Sequence, residues 1–121
     1  MARPAEIRSA RLIELDENWL EQICQLENLC YPNPWSDNLL AIELEKDISI
    51  RAGFAIDDLL IAHSFNHLIN DELHILNLAV HPDHRGLGYG KALLSEILDR
   101  GKEQGAKLAT LEVRKSNDIA K

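Results

Sequence analysis

A chain of 121 residues is long enough for one domain with its own hydrophobic core and too short for two ordinary domains. Its hydrophobic share of 45% and charged share of 27% are typical of soluble globular proteins and exclude disordered and fibrous classes. The formal net charge of −7 disfavours binding to nucleic acid and favours a cationic partner. We therefore expect one domain over residues 1–121.

The distribution of charges and cysteines predicts the cellular compartment. Charged residues interrupt every apolar run, so no window reaches the roughly 18 apolar residues that a membrane span needs. The first six residues also lack the apolar stretch of a secretory signal, which predicts a cytoplasmic protein. Cys24 and Cys30 would lie on different sides of one helix, so we expect two reduced, buried thiols and no zinc site.

The first part of the chain predicts one strand followed by two helices. Alternating apolar and polar residues over 7–15 predict the strand, and Asp16 is placed to cap the first helix. The prolines within residues 31–35 end that helix, after which Ser36 or Asp37 can cap a second helix that runs to about Glu45. The apolar residues expected to align along these helices are Trp19, Leu20, Ile23, Leu26 and Leu29 in the first, and Leu39, Leu40 and Leu44 in the second.

The remaining elements predict a three-stranded meander and then a β-α-β unit. The β-favouring runs 49–56, 60–68 and 73–80 are separated by the turn pairs Asp57-Asp58 and Asn70-Asp71. The third run is nearly continuously apolar at its end, which predicts a central strand. A polar turn over 81–90 then leads into a helix, which has a weak point at Gly101 and a stop at Gly105. Its expected inner face comprises Leu93, Leu94, Ile97 and Leu98, and a parallel strand follows at 108–113. The fold class is therefore α/β (α+β), with a mixed sheet in the order β-α-α-β-β-β-α-β.

The turn between the meander and the third helix has the composition of an anion site. It comprises Arg85, Gly86, Leu87, Gly88, Tyr89, Gly90 and Lys91. The first amides of a helix lack internal partners and lie at the positive end of its dipole, so they receive a phosphate readily. Glycines let the backbone approach such a ligand closely, and Arg85 and Lys91 add positive charge at the rim.

The glycine spacing disfavours two common nucleotide sites. The dinucleotide fingerprint Gly-x-Gly-x-x-Gly is replaced here by Gly-x-Gly-x-Gly. A P-loop needs more widely spaced glycines, and Ala92 stands where that loop requires a metal-binding Ser or Thr. Another phosphate-bearing ligand is therefore expected.

The segment 77–94 resembles the acetyl-CoA signature of the GCN5-related N-acetyltransferases, whose core is Arg/Gln-x-x-Gly-x-Gly/Ala. Arg85, Gly88 and Gly90 match that core, and the predicted element order is similar to the same fold from residue 7 onwards. Within this superfamily, residues 34–36 (Pro-Trp-Ser) and 111–117 resemble the ribosomal-protein-alanine N-acetyltransferases. The resemblance implies acetyl-CoA as cosubstrate, no metal, and a basic protein N-terminus as acceptor, such as that of a small-subunit ribosomal protein.

The resemblance also implies a role for particular residues. The backbone of Leu78, Ala79 and Val80 would hold the pantetheine, residues 86–91 the pyrophosphate, and Asn117 the cofactor's arm. Glu112 would be the general base that deprotonates the acceptor amine, and the amide of Val80 would receive the oxyanion. The family's acid, a tyrosine, and its last helix and two strands would lie beyond residue 121.

Other interpretations of these residues remain open at this point. Without the family, Glu112 is better explained as a solvent-facing strand residue, and Trp35 serves equally as a lid over the second helix or a substrate wall. Two alternatives for the function also remain: an acetyltransferase that acts on another amine or protein, and a chain that binds acetyl-CoA without catalysis. An exposed edge at strand 108–113 would favour a homodimer.

The histidines do not predict a metal site. His63 and His67 would lie about 13 Å apart along one strand, which is too far to share an ion, so we expect both at a surface or interface. His81 and His84 flank a proline turn, and we expect both to be exposed to solvent.

Overall fold

The computed structural model of the protein describes residues 10–111, which form three α-helices and five strands in the predicted order. In chain order they are β1 (Ala10–Glu14), α1 (Leu20–Cys30), α2 (Asp37–Glu43), β2 (Ser49–Ile56), β3 (Leu59–Ile69), β4 (Glu72–Val80), α3 (Tyr89–Glu103) and β5 (Leu108–Leu111). Single 3-10 turns occupy Glu17–Trp19 and Pro82–His84. The predicted α/β class is confirmed.

The five strands form one mixed sheet in the order β1-β2-β3-β4-β5. The first four are antiparallel neighbours, and β5 runs parallel to β4, which confirms the predicted crossover. Strand β5 pairs with Glu72–Ile75 alone in the described range, whereas residues 77–80 of β4 have β3 on one side and an open edge on the other. Within residues 10–111, the predicted central position of β4 is therefore confirmed for Glu72–Ile75.

Short-range signals in the sequence set the hairpin turns, the start of α2 and the end of α3 as predicted. Asp16 caps the 3-10 turn Glu17–Trp19 and not α1, so that prediction is wrong. Asp57 and Asn70 adopt φ values of 54° and 57°, the left-handed geometry that Asp and Asn tolerate in tight hairpins. The Ser36 Oγ accepts the Leu39 amide at 3.2 Å and starts α2. At the end of α3, Gly105 has a φ of 101°, which confirms the predicted helix stop.

A β-bulge in β4 changes which face its side chains reach. The pairing shifts from Phe65↔Asn77 to Asn66↔Ile75, so Leu76 has no partner in β3. Ile75 consequently packs on the α3 side of the sheet, and Ala79 packs on the α1 side. Odd-numbered residues of β4 therefore lie on the α3 side of the sheet before the bulge and on the α1 side after it.

Two clusters of buried side chains fill the two faces of the sheet. The cluster under α1 and α2 includes Leu15, Ile23, Leu26, Leu40, Phe65 and Ala79. The cluster under α3 includes Ile50, Ala52, Ala62, Leu73, Ile75, Leu93 and Ile97. Helix α3 thus attaches to the sheet through an apolar seam, which holds its N-terminus in a fixed place beside the end of β4.

Three leucines predicted to align on inner helix faces point outwards instead. Leu29 and Leu39 are each 55% exposed and Leu98 is 40% exposed, so these predictions are wrong. The buried positions of α1 and α2 include Glu27 and Glu43, acidic residues of a type that is rarely buried. Within residues 10–111, no helix is both long and apolar enough to cross a bilayer.

The inner face of α3 is defined by a four-residue repeat that ends in a glycine. Its buried positions are Tyr89, Leu93, Ile97 and Gly101. A Cβ at residue 101 would lie 2.8 Å from the Cδ2 of Leu73. Gly101 is therefore a close-packing position between α3 and β4, which corrects its prediction as a weak point.

Candidate active site

The glycine turn joins the end of β4 to the start of α3, as predicted. Gly86 and Gly88 adopt φ values of 78° and 94°, which disfavour any residue with a Cβ. Gly88 precedes the first helical residue, and α3 continues for 15 residues, so its unpaired first amides face this turn. The local geometry is that of an anion-binding helix N-terminus.

Two side chains of the turn, those of Arg85 and Tyr89, contact the protein itself and do not line the expected anion site. Arg85 turns back towards the strand, and its Nε donates to the Val80 carbonyl at 3.0 Å. Tyr89 is 1% exposed, with its ring 5.9 Å from that of Phe54. Tyr89 therefore offers the turn its backbone amide and not its hydroxyl. Lys91 is exposed and remains the basic side chain at the rim.

The second half of β4 presents main-chain groups to its open edge. The His81 amide donates to the Ile61 carbonyl of β3 at 2.8 Å. Because hydrogen-bonded and non-hydrogen-bonded pairs alternate in antiparallel strands, the amides of Leu78 and Val80 point away from β3. The structure thus brings two strand amides to the edge that adjoins the glycine turn.

The carbonyls of the same two residues are held by α1 and the residue after it. Tyr31 Oη donates to the Leu78 carbonyl at 2.7 Å, and Cys30 Sγ donates to the Val80 carbonyl at 3.3 Å. These contacts fix the C-terminal end of α1 to the open edge of β4. They also occupy the acceptors of that edge while its amides still point outwards.

A buried carboxylate, which was not predicted from the sequence, lies next to this edge. Glu27 is fully buried, with its Oε2 accepting the Trp35 amide at 3.1 Å and its Oε1 accepting the Asn77 Nδ2 at 3.0 Å. The Nε2 of His63 lies 3.5 Å from the same Oε1. The signal available in the sequence was an acidic residue at an inner position of α1, four residues after Ile23.

His63 corrects the expectation of a surface or interface histidine. It is fully buried, because β3 lies inside the sheet with helices covering both faces. Burial lowers the pKa of His63 to about 3, and a hydrogen bond with Asn77 opposes that change. The ring is therefore neutral near pH 7.

The other histidines are also less exposed than predicted. The Nε2 of His67 lies 2.8 Å from the Oε2 of the buried Glu43 on α2. His84 is half-buried, with its ring 5.5 Å from that of His81 and 6.2 Å from that of Tyr89. The expectation that His84 faces solvent is therefore wrong, because the 3-10 turn folds its ring onto the first residue of α3.

The ring of Trp35 is half-buried and stacks on Phe65, with centroids 5.8 Å apart and planes at 24°. This packing supports a structural role for the Pro-Trp loop, residues 31–36. The loop also borders the open edge of β4 through Tyr31, so its position affects both the core and that edge. Its backbone is fixed by the bond from the Trp35 amide to Glu27.

Both cysteines are free, which confirms the absence of a disulfide between them. Cys30 is buried as predicted, but Cys24 is half-buried because it lies on the outer side of α1. Burial, together with Asp37, raises the pKa of Cys24 to about 11. Burial also raises the pKa of Cys30, and Arg85 opposes that change.

Among residues 10–111, no group of His, Cys, Asp and Glu has the arrangement of a metal site. The predicted base Glu112 and the predicted cofactor contact Asn117 lie outside the described residues.

Known proteins are similar to this chain in sequence and in fold. The chain is 34% identical over 110 residues to a [Ribosomal protein bS18]-alanine N-acetyltransferase of Haemophilus ducreyi, covering 90% of this chain and 72% of the relative. A protein of that same name from Salmonella typhimurium is 30% identical over 97 residues, covering 79% of this chain and 64% of the relative. The chain therefore spans about two thirds to three quarters of the length of these relatives.

Solved structures and a family model agree with these similarities. The ribosomal-protein-S18-alanine N-acetyltransferase of Escherichia coli superposes with a TM-score of 0.82 at 26% identity, covering 92% of this chain and 71% of that one. Ard1 of Thermoplasma volcanium superposes with a TM-score of 0.83 at 20% identity, covering 93% and 76%, and shows the same fold. The model of the Acetyltransferase (GNAT) family matches residues 20–121. This chain belongs to the GNAT family of acetyltransferases.

Proposed function

We propose that this protein transfers the acetyl group of acetyl-CoA to the N-terminal amine of a protein, with the N-terminal alanine of a ribosomal protein such as bS18 as acceptor. The observation that carries the proposal is the placement of the open edge of β4 directly beside an anion-binding turn. A cofactor with a pyrophosphate and an amide-bearing arm needs both features in that order. The similar proteins act on bS18 according to their names.

The described residues fit acetyl-CoA in two ways. The backbone of residues 86–91 offers helix-terminal amides for the pyrophosphate, with glycines that leave room for it. The backbone of residues 78–80 offers outward amides for the pantetheine, while Tyr31 and Cys30 hold its carbonyls in place. When bound there, acetyl-CoA supplies the thioester that carries the acetyl group.

The chemistry also requires a base and an oxyanion site. An N-terminal amine has a pKa of about 7.7 to 8.0 and must lose a proton before its nitrogen can attack a thioester carbonyl. We assign that base to Glu112 on the strength of the family motif, and the oxyanion donor to the Val80 amide. The excess of acidic residues, with a net charge of −7, suits a basic acceptor. A ribosomal acceptor would place the reaction in the cytoplasm.

A substrate panel tests the proposal. The chain is incubated with acetyl-CoA and either a basic peptide that begins with alanine, the same peptide with a blocked N-terminus, or spermidine, and products are identified by mass spectrometry. Acetylation of the free-alanine peptide alone supports the proposal. Preferred acetylation of spermidine would show a small-amine enzyme, and thermal stabilisation by acetyl-CoA without any product would show a chain that binds but does not catalyse.

A pair of glycine variants tests the cofactor site separately from the reaction. Gly88 and Gly105 have φ values of 94° and 101° at opposite ends of α3, so alanine at either strains the backbone by roughly 1–3 kcal/mol. Only Gly88→Ala is expected to weaken acetyl-CoA binding, by about tenfold in calorimetry, because only that residue borders the anion site. Equal affinity in the two variants would contradict the assignment of the turn.

We also propose that the protein forms a homodimer through β5. Leu108 and Leu111 are 53% and 61% exposed, and in residues 10–111 no strand pairs with the outer edge of β5. An apolar, unpaired edge favours pairing with a second copy. A monomer mass in light scattering at micromolar concentration would contradict this.

A further inference from the structure

The buried carboxylate of Glu27 joins three parts of the chain. It lies on α1, accepts the Trp35 amide of the Pro-Trp loop at 3.1 Å, and accepts the Asn77 side chain of β4 at 3.0 and 3.3 Å. Glu27 and Asn77 are 0% and 1% exposed. Since the two residues are 50 positions apart, the carboxylate fixes a contact that local sequence cannot impose.

An apolar side chain of similar volume could fill the site of Glu27, so packing does not explain why this residue is a carboxylate. A buried carboxylate loses its hydration, and replacing such polar groups with apolar side chains of similar volume is often neutral or stabilising. Its nearest ionisable neighbour, His63, is held neutral by burial and so contributes no compensating charge. The carboxylate instead supplies directed hydrogen bonds, which define a unique arrangement of the groups around it.

The groups that Glu27 connects are those that border the proposed site. Asn77 immediately precedes Leu78, whose amide and carbonyl lie at the open edge of β4. Tyr31, which follows α1 directly, donates to the Leu78 carbonyl at 2.7 Å. On the other side, the Trp35 amide anchors the Pro-Trp loop. One carboxylate therefore sets the position of that loop relative to the strand.

Glu27 connects to β4 through Asn77 and to the Pro-Trp loop through the Trp35 amide, and these two partners differ in what else holds them in place. Strand β4 is held by its pairing with β3 along residues Glu72–Val80, so it keeps its place without Glu27. No helix or strand includes the Pro-Trp loop. Its contacts include the stacking of Trp35 on Phe65, the bond from the Tyr31 amide to the Glu27 carbonyl and the bond from the Tyr31 hydroxyl to the Leu78 carbonyl. Loss of the carboxylate is therefore expected to displace the loop more than the strand.

We propose that Glu27 is a positioning residue that fixes the Pro-Trp loop against the open edge of β4, so that the acceptor amine meets the thioester in a reactive geometry. This rests on the proposed function, in which β4 holds acetyl-CoA and the loop borders the acceptor. Glu27 itself is fully buried and touches neither substrate. Its effect is transmitted through the Trp35 amide and Asn77.

Steady-state kinetics of four variants test the proposal. Glu27→Met removes the carboxylate at similar volume, and Glu27→Met with Asn77→Leu replaces both polar partners with apolar side chains. Glu43→Met is the matched control, since Glu43 is also buried on a helix of the same sheet face but bonds to His67, away from residues 78–80. Glu27→Gln is the conservative variant, because its amide oxygen can still accept the Trp35 amide.

The expected result is a split between the two Michaelis constants. Glu27→Met should raise the KM for the acceptor peptide about tenfold and the KM for acetyl-CoA less than about twofold, the loss expected for one charge-assisted hydrogen bond at the loop. The double variant should regain stability towards urea but keep the raised acceptor KM, and Glu27→Gln should fall between Glu27→Met and the wild type. Recovery of the acceptor KM together with stability, or an equal change in Glu43→Met, would overturn the proposal.

Hydrogen exchange tests whether Glu27 fixes the Pro-Trp loop, and it does so without a measurement of enzyme activity. In Glu27→Met and in the double variant, the amides of Asn33 and Ser36 should exchange about tenfold faster than in Glu43→Met, while the β4 amides that face β3 stay protected. Exchange that changes at Trp35 alone would show a local hydrogen bond without a positioning role. A wild-type chain that acetylates no peptide would refute the proposed function, and the exchange result would still decide the role of Glu27.

Discussion

The two faces of the sheet bury different kinds of side chain. The face under α3 is closed by aliphatic residues in a four-residue repeat, and glycine at 101 allows close contact with Leu73. The face under α1 and α2 holds two contacts between a histidine and a buried glutamate, Glu27 with His63 and Glu43 with His67. One face is specified by shape and the other also by directed polar contacts.

This difference corresponds to what each face must hold. Helix α3 has to present its N-terminal amides at one place, and a rigid apolar seam achieves this without any polar cost. Helix α1 has to hold an irregular loop against a strand edge, and hydrogen bonds to a buried carboxylate define that geometry better than aliphatic packing does. Both faces converge on the end of β4, where the proposed cofactor and acceptor would meet.

The largest expected effect comes from deleting the polar centre of the α1 face. Glu27→Ala leaves the Trp35 amide and the Asn77 side chain without an acceptor in a dry site, and should cost about 4 kcal/mol of unfolding free energy. Leu93→Ala, at an equally buried position of the α3 face, should cost about 3 kcal/mol through a cavity. Urea denaturation measures both, and a larger loss for Leu93→Ala would contradict the greater vulnerability of the polar face.

A pH titration of stability separates the two faces next. Burial lowers the pKa of His63 from 6.5 to about 3, so between these values the unfolded chain binds a proton that the folded chain does not. This contribution to stability is complete above about pH 6.5 and falls as the pH decreases, by up to about 1.4 kcal/mol per pH unit. His63→Gln should flatten the slope between about pH 6.5 and 5, as measured by urea midpoints. Equal slopes in wild type and His63→Gln would contradict this assignment.

Adding one methyl group at residue 101 tests how closely α3 packs against β4. Gly101→Ala gains helix propensity, but its Cβ would lie 2.8 Å from Leu73, which is 1% exposed and cannot move away freely. We expect a net loss of about 1 kcal/mol in urea denaturation. Gly90→Ala in the first turn of α3 is the control, since its nearest neighbour would be Val80 Cγ2 at 3.5 Å, and it should be neutral or slightly stabilising. A stabilised Gly101→Ala would show that the seam between α3 and β4 adapts.

Local chemistry made much of this fold and its turn predictable. The Asp and Asn turns, the Ser36 cap and the Gly105 stop each depend on the conformational preference of one or two residues, so they could be read directly. The glycine turn was also predictable, because positive φ at Gly86 and Gly88 and a helix start leave few other residue choices. Its alternating glycines also identified the family.

Contacts across large sequence separations could not be predicted in the same way. His63 was expected at the surface because the sequence of β3 does not reveal that helices cover both of its faces. Leu29 was expected on the inner side of α1, yet Glu27 lies there because Asn77 and the Trp35 amide supply its partners. The bulge at Leu76 also left no local signal, since the burial pattern of β4 still alternates while the face changes.

The smallest expected effect concerns the two sides of α1, where Cys24 lies outward and Cys30 inward. Burial and Asp37 raise the pKa of Cys24 to about 11, so at pH 7 only about one molecule in 10⁴ carries a thiolate there. A thiol reagent should therefore modify the native chain about a hundredfold more slowly than free cysteine, and the rate should rise about tenfold per pH unit. Asp37→Asn should accelerate the reaction a few-fold, because it removes an acidic neighbour that favours the thiol. Cys24→Ser should abolish the slow phase altogether, because Cys30 is buried against the Val80 carbonyl, and a rapid reaction in that variant would show that the inner side of α1 opens to solvent.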